Sequence, residues 1–129
     1  MVILFDQFNL PDDIFKVIFA TEQQEVVAKL LINYIKQNNS EIGKTEMSLF
    51  ATQLHEGKLV DTTQPVKGPQ IKKAPLISYN KRQFYDRILT PMKSMGLVDY
   101  DLYKKTYRIS EKFNRLMIRI GLMWLREIR

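Results

Sequence analysis

The spacing of the apolar residues changes at Gly96, and that change limits the fold more than any other feature of the chain. Before it, Phe84, Ile88, Met92 and Met95 recur at helical spacing, flanked by Tyr85 and Leu89. After it, Leu97-Val98-Asp99-Tyr100-Asp101 and Thr106-Tyr107-Arg108-Ile109 are short β-branched and aromatic runs. Helical spacing resumes behind Ser110-Glu111 and continues to about Glu127. A helix, a glycine stop, two short strands and another helix read as a hairpin held between helices. The hairpin has a basic tip, Leu102-Tyr103-Lys104-Lys105, without the Asn-Gly or Asp-Gly turn signal.

Upstream the pattern is helical. Pro11-Asp12-Asp13 sets acids at a helix start, and Ile14, Phe15, Ile18 and Phe19 fit one short amphipathic helix. Val2 to Phe5 reads as a short strand or an arm. Thr21 with Gln24 forms a capping box, and Val27, Leu30, Leu31, Tyr34 and Ile35 predict a helix over about 22–37, ended by Asn38-Asn39-Ser40. Met47, Phe50, Ala51 and Leu54 predict a second helix over about 45–56, stopped by Gly57. His55 at its end reads as a surface residue or a complement to the helix dipole. Gly43-Lys44-Thr45 has the tail of a phosphate-binding loop, but Asn38 stands where the motif needs glycine and a helix is expected before it, so the motif is set aside. Residues 57–78 hold Pro65, Pro69 and Pro75 and read as a long loop, pairing in part as short strands. Asn80, with Gln83 three residues on, opens a helix over 80–95 that Pro91 is expected to kink near Arg87 or to end early.

Charge divides the chain. The net charge is +6, but residues 1–66 carry five Lys, no Arg and nine acids, while residues 67–129 carry eight Lys, seven Arg and five acids. Half is therefore −4 and half +10, and every arginine lies in the basic half. Arginine forks match phosphates and guanine edges, so this asymmetry points to a polyanionic partner. The absence of cysteine removes disulfides and thiolate metal sites, and a single histidine argues against a histidine metal centre. No paired catalytic acids or nucleophile motif stands out, so an enzyme is not expected, nor any cofactor or metal.

The residues from Phe84 to Phe113 carry a resemblance. The apolar helix Phe84/Ile88/Leu89/Met92, the turn Met95-Gly96-Leu97-Val98, the strand end Asp99-Tyr100-Asp101 and the return strand Lys105-Thr106-Tyr107-Arg108-Ile109-Ser110 resemble the winged helix-turn-helix domain of small DNA-binding regulators. The likeness extends over about residues 22–128. It implies a mainly α fold with a small β-hairpin wing (α+β), with helix 80–95 in the major groove of double-stranded DNA and hairpin 97–109 as the wing on the adjacent backbone or minor groove. Carried onto this chain, Gln83 bonds adenine and Arg87 guanine, with Tyr79, Asp86, Thr90 and Lys93 alongside. Lys81 and Arg82 sit in the first turn, where cations oppose the helix dipole by about 0.3–1 kcal/mol each. A phosphate seated with Asn80 at that N-terminus would account for them; a solvated basic turn is the plainer alternative. Tyr103, Lys104, Lys105 and Arg108 of the wing would clamp phosphates, unless the tip is merely a soluble turn, and Lys67, Lys72 and Lys73 of the loop would form a second clamp, unless the loop is simply disordered.

The last helix, 111–128, has a narrow polar stripe of Lys112, Arg115, Arg119 and Arg126, and is otherwise almost wholly apolar. One intramolecular contact needs an apolar stripe of only about 100°. The excess suggests a homodimer joined through Leu116, Ile120, Met123 and Trp124, presenting two reading helices about 34–36 Å apart to a palindromic site. The alternative is that Trp124 packs under residues 1–20. The expectation is thus one winged-helix domain over 1–129, with an N-terminal extension 1–20, acting as a dimeric transcriptional regulator. The other reading is a winged-helix module for protein–protein contacts in a replication or other macromolecular assembly. No apolar run approaches the roughly 20 residues that cross a bilayer, and no basic leader region opens the chain, so a cytoplasmic, nucleoid-associated protein without a membrane partner is expected.

Overall fold

The computed structural model describes residues 6–60 and 76–129. In chain order the elements are α1 (Ile14–Ile18), α2 (Glu22–Gln37), β1 (Glu41–Gly43), α3 (Lys44–His55), β2 (Leu59–Val60) and β3 (Leu76–Ile77). There follow α4 (Lys81–Phe84), a π-helical stretch (Tyr85–Leu89), α5 (Thr90–Ser94), β4 (Val98–Asp101), β5 (Thr106–Ile109) and α6 (Lys112–Glu127). The chain is mainly helical with a small antiparallel sheet. The N-caps expected at Thr21 and Asn80 are made, without the return bond from the Gln24 side chain that a full capping box has. Thr21 Oγ1 accepts from the Gln24 N–H at 3.2 Å, and Asn80 Oδ1 from the Gln83 N–H at 3.1 Å. The short first helix is capped by Asp13, whose carboxylate accepts from the Phe15 N–H at 2.9 Å.

Three helical faces meet in the core. Val27, Leu31 and Ile35 of α2, Met47, Phe50 and Leu54 of α3, and Phe84, Ile88, Leu89 and Met92 of the helical run 81–94 are all buried. The Phe50 ring lies between Tyr34 and Phe84, with centroids at 5.3 and 5.6 Å. Ile42, Val98 and Tyr107 from the sheet join the same cluster.

β1 was not expected. Asn39 and Ser40 take left-handed conformations (φ 61° and 64°), and the Ser40 N–H returns to the Ile35 carbonyl at 2.9 Å. That turn releases the chain as a strand, which pairs with β5 through Ile42↔Tyr107 and gives the sheet order β1-β5-β4. A strand, not a helix, therefore immediately precedes Lys44-Thr45. The phosphate-loop motif still fails, because Glu46 accepts the Gly43 N–H at 3.3 Å and the Lys105 carbonyl accepts the Lys44 N–H at 3.0 Å.

Of the two effects expected of Pro91, an early end is not what is found; the helix is instead irregular around Arg87, in the π-helical stretch Tyr85–Leu89. The Thr90 N–H reaches back five residues to the Tyr85 carbonyl. The widened turn makes room for a ring that would otherwise press on the carbonyl of Arg87. The run then closes at Gly96 (φ 82°): the Gly96 N–H bonds the Lys93 carbonyl at 3.2 Å and the Leu97 N–H the Met92 carbonyl at 2.9 Å, a Schellman end. The long connection is pinned at both ends by β2 and β3, paired Leu59↔Ile77 and Val60↔Leu76. Lys67, Lys72 and Lys73, like Val2 to Phe5, lie outside the described residues.

The hairpin tip owes its shape to Asp101. Its Oδ1 accepts from the Tyr103 and Lys104 N–H groups at 2.9 and 3.2 Å, and Lys105 closes the turn at φ 55°. α6 starts where Ser110 Oγ accepts the Lys112 N–H at 3.1 Å; Glu111 makes no side-chain cap. The Gly96 carbonyl takes the Phe113 N–H at 3.0 Å. From Asn114 onward every residue of the helix is exposed. Trp124 is 65% exposed, so the described part of the N-terminal extension does not cover it.

Candidate nucleic-acid interface

The helical run 81–94 has two opposed faces. Phe84, Ile88, Leu89 and Met92 are sunk in the core, and Arg82, Gln83, Asp86, Arg87, Thr90 and Lys93 point to solvent. The Arg82 side chain is 92% exposed and its Nε stands 3.9 Å from the Asp86 carboxylate. An exposed pair at that range contributes between nothing and about 1 kcal/mol, so Arg82 is available to a partner.

The start of this run differs from the sequence expectation. Tyr79 is buried in the core at 6% exposure and its backbone N–H bonds the Leu54 carbonyl at 3.1 Å, so it is not a surface contact. The half-buried Lys81 gives its Nζ to Thr52 Oγ1 at 3.0 Å. Its backbone N–H goes to His55 Nδ1 at 3.1 Å. Asn80 is exposed but spends its carbonyl oxygen on the Gln83 N–H. Two of the N–H groups that a bound phosphate would have used are thus taken by internal acceptors, that of Lys81 by the C-terminal end of α3 and that of Gln83 by the helix's own N-cap. His55 acquires a role that neither sequence alternative gave it: it caps a helix 26 residues away.

The hairpin presents the residues expected of it, with one exception. Tyr103 is 99% exposed, and Lys104 and Lys105 are exposed beside it. The Lys104 and Tyr103 N–H groups hold the Asp101 carboxyl below its ordinary value. Arg108 is exposed but lies directly across the ladder from Asp99, with Nη2 3.6 Å from that carboxylate, so its charge is partly answered within the chain. Asp99 also receives Lys112 Nζ at 3.0 Å, and this bond, more than Arg108, draws its carboxyl below the usual range. Lys93 Nζ stands 5.9 Å from the ring centroids of both Tyr100 and Tyr107, a cation–π arrangement that ties the end of the helical run to the hairpin.

α6 carries an apolar and a basic stripe that adjoin. Leu116, Ile120, Met123 and Trp124 are exposed together on the first. Lys112, Arg115, Arg119 and Arg126 form the second at helical spacing beside Leu116 and Met123; the sequence displayed this stripe, but only as the polar side of an apolar helix. Among the described residues no group of three or more acidic or histidine side chains is arranged to hold a metal ion, and no helix is long and apolar enough to cross a membrane. Compared with protein-family models, curated proteins and solved structures, the chain matches none.

Proposed function

We propose that this chain is a winged helix-turn-helix protein that binds double-stranded DNA as a homodimeric transcriptional regulator in the cytoplasm. The observation that carries the reading is the helical run 81–94, locked into the core by Phe84, Ile88 and Met92 while Arg82, Gln83 and Arg87 stand free on its outer side. A helix held that way can enter a major groove without costing the domain its packing. The basic hairpin tip at Tyr103-Lys104-Lys105 supports it as the wing, tethered to the same helix through Lys93. Arg82 and Arg87 take the phosphate and base contacts in place of Lys81, whose ammonium is engaged by Thr52.

The homodimer is proposed on the apolar side of α6. A continuous apolar helix face left in water on a small domain marks a contact surface, and a second copy supplies the same face in a closed twofold pair. The same face favours a second reading, a module for contacts with a different protein. Selection of bound duplexes from a random pool tests both. A palindromic consensus, bound with an affinity that falls steeply with salt and drops further in R82Q/R87Q, is the expected result. Failure to enrich any duplex, with a dimer still seen in sedimentation, would leave the protein-contact reading in its place.

A further inference from the structure

α5 and α6 meet at Gly96 and enclose a groove of about 320 Å3 lined by Lys93, Ser94, Gly96, Lys112, Arg115, Leu116 and Arg119. The lining holds four cations and no carboxylate. Lys112 is drawn toward Asp99 and Lys93 toward two tyrosine rings, but among the described residues Arg115 and Arg119 have no ion-pair partner. They lie one turn apart on one stripe, about 6 Å along the helix axis. Like charges at that spacing disfavour a helix. Past its N-cap Glu111 the first turn of α6 contains no acid, and its cations Lys112 and Arg115 stand at the end where the helix dipole opposes them. Two local rules are therefore broken at one place, and an anion lying along the groove would answer both.

We infer that this groove binds the phosphodiester backbone of the DNA, continuing the contact surface past the C-terminal end of the reading helix. The inference rests on the DNA reading above and adds Arg115 and Arg119 as backbone clamps. The open groove and the cations strung over about 10 Å from Lys112 to Arg119 suit a linear polyanion better than a compact phosphate.

The test uses the full chain and a labelled duplex from the selected pool, titrated by anisotropy between about 50 and 200 mM salt. Each lost phosphate contact flattens the log–log salt slope by about 0.9, so R115Q/R119Q is expected to lose about 1.8 per protomer bound. The affinity gap between wild type and variant then shrinks about twelvefold per protomer bound across that fourfold change in salt, and by about the square of that for the proposed dimer. Both side chains are exposed, so the variant keeps the fold. A matched pair, K16Q/K36Q, removes the same charge from exposed positions outside the groove and is expected to leave the slope unchanged. An unchanged slope in R115Q/R119Q overturns the inference while leaving the DNA reading intact, and so does an equal loss in both pairs. Inorganic phosphate, exchanged for chloride at constant ionic strength, is expected to compete no better than chloride. If it displaces the duplex from wild type and not from R115Q/R119Q, the groove is a site for a compact anion and the backbone assignment fails. A wild-type chain that binds no duplex overturns the DNA reading, and this inference with it.

Discussion

Replacing Gly96 with alanine separates backbone strain from crowding, because Gly57 supplies the control. Both glycines have left-handed backbones, at φ 82° and 71°. A Cβ on Gly57 would find its nearest neighbour, Ser78 Cβ, at an ordinary 3.6 Å. A Cβ on Gly96 would lie 2.8 Å from the Phe113 nitrogen, 2.9 Å from Lys112 Cβ and 3.0 Å from the Lys112 carbonyl carbon. Two of those three atoms are backbone and cannot swing aside, so the first turn of α6 must shift. Gly57→Ala is expected to lose about 1–2 kcal/mol, the left-handed strain alone. Gly96→Ala adds about 1–3 kcal/mol of overpacking, for a total near 2–5 kcal/mol. Against a domain stability of roughly 5–15 kcal/mol that is a large fraction. At about 4 °C per kcal/mol for a chain of this size, Gly96→Ala melts roughly 8–20 °C below wild type. Urea and thermal unfolding followed by circular dichroism measure both variants. Gly43→Ala and Gly121→Ala meet nothing within 4 Å and complete the set. The second should gain up to about 1 kcal/mol from helix propensity. Equal melting temperatures for Gly96→Ala and Gly57→Ala would refute the crowding at the root of α6. A Gly57→Ala as stable as wild type would refute the strain.

Three further outcomes follow from the same geometry. His55→Ala removes the acceptor for the Lys81 N–H and is expected to cost about 0.5–1 kcal/mol in urea unfolding, within the range of a lost helix cap; an unchanged midpoint means that water replaces the imidazole. Asp99→Asn loses the bond from Lys112, worth about 0.5–1 kcal/mol at neutral pH. The Asp99 carboxyl is held below its ordinary 3.8, so the wild-type advantage is full above that pH and fades as pH falls through the lowered folded value; an advantage that persists at lower pH contradicts the pairing. Ile120→Glu alters only the exposed face of α6. It should leave monomer stability within about 0.5 kcal/mol while shifting sedimentation from dimer to monomer, and a dimer that survives it removes α6 from the proposed contact.

What the sequence displayed best was whatever depends on near neighbours. Thr21 with Gln24, Asn80 with Gln83, and the glycine that ends the run at Met95 are local devices, and each is found as its residue types require. The alternation of Val98 to Asp101 and Thr106 to Ile109 was likewise enough to place a hairpin. What escaped is non-local. β1 is three residues long, too short to show a period, and exists because β5 offers it an edge. The His55–Lys81 bond joins residues 26 apart, and nothing near either one announces it. Tyr79 looked like a neighbour of the reading face but is turned into the core. Pro91 announces an irregularity near Arg87, but not its form: a π-helical turn between Tyr85 and Leu89 accommodates the ring without breaking the run. The cationic groove needed Lys93 and Arg119 brought together across Gly96, which only the fold provides.

Among the described residues α6 is fastened to the body at one end only, which makes it a lever. Its 16 residues rise about 1.5 Å each, giving an arm of about 24 Å. A pivot of about 10° at the Gly96–Phe113 junction swings the free tip by about 4 Å, slightly more than the 3.4 Å step between successive base pairs. In the proposed dimer, with two chains clasped along these arms on DNA, the stiffness of that joint would govern how much mismatch in half-site spacing the assembly tolerates.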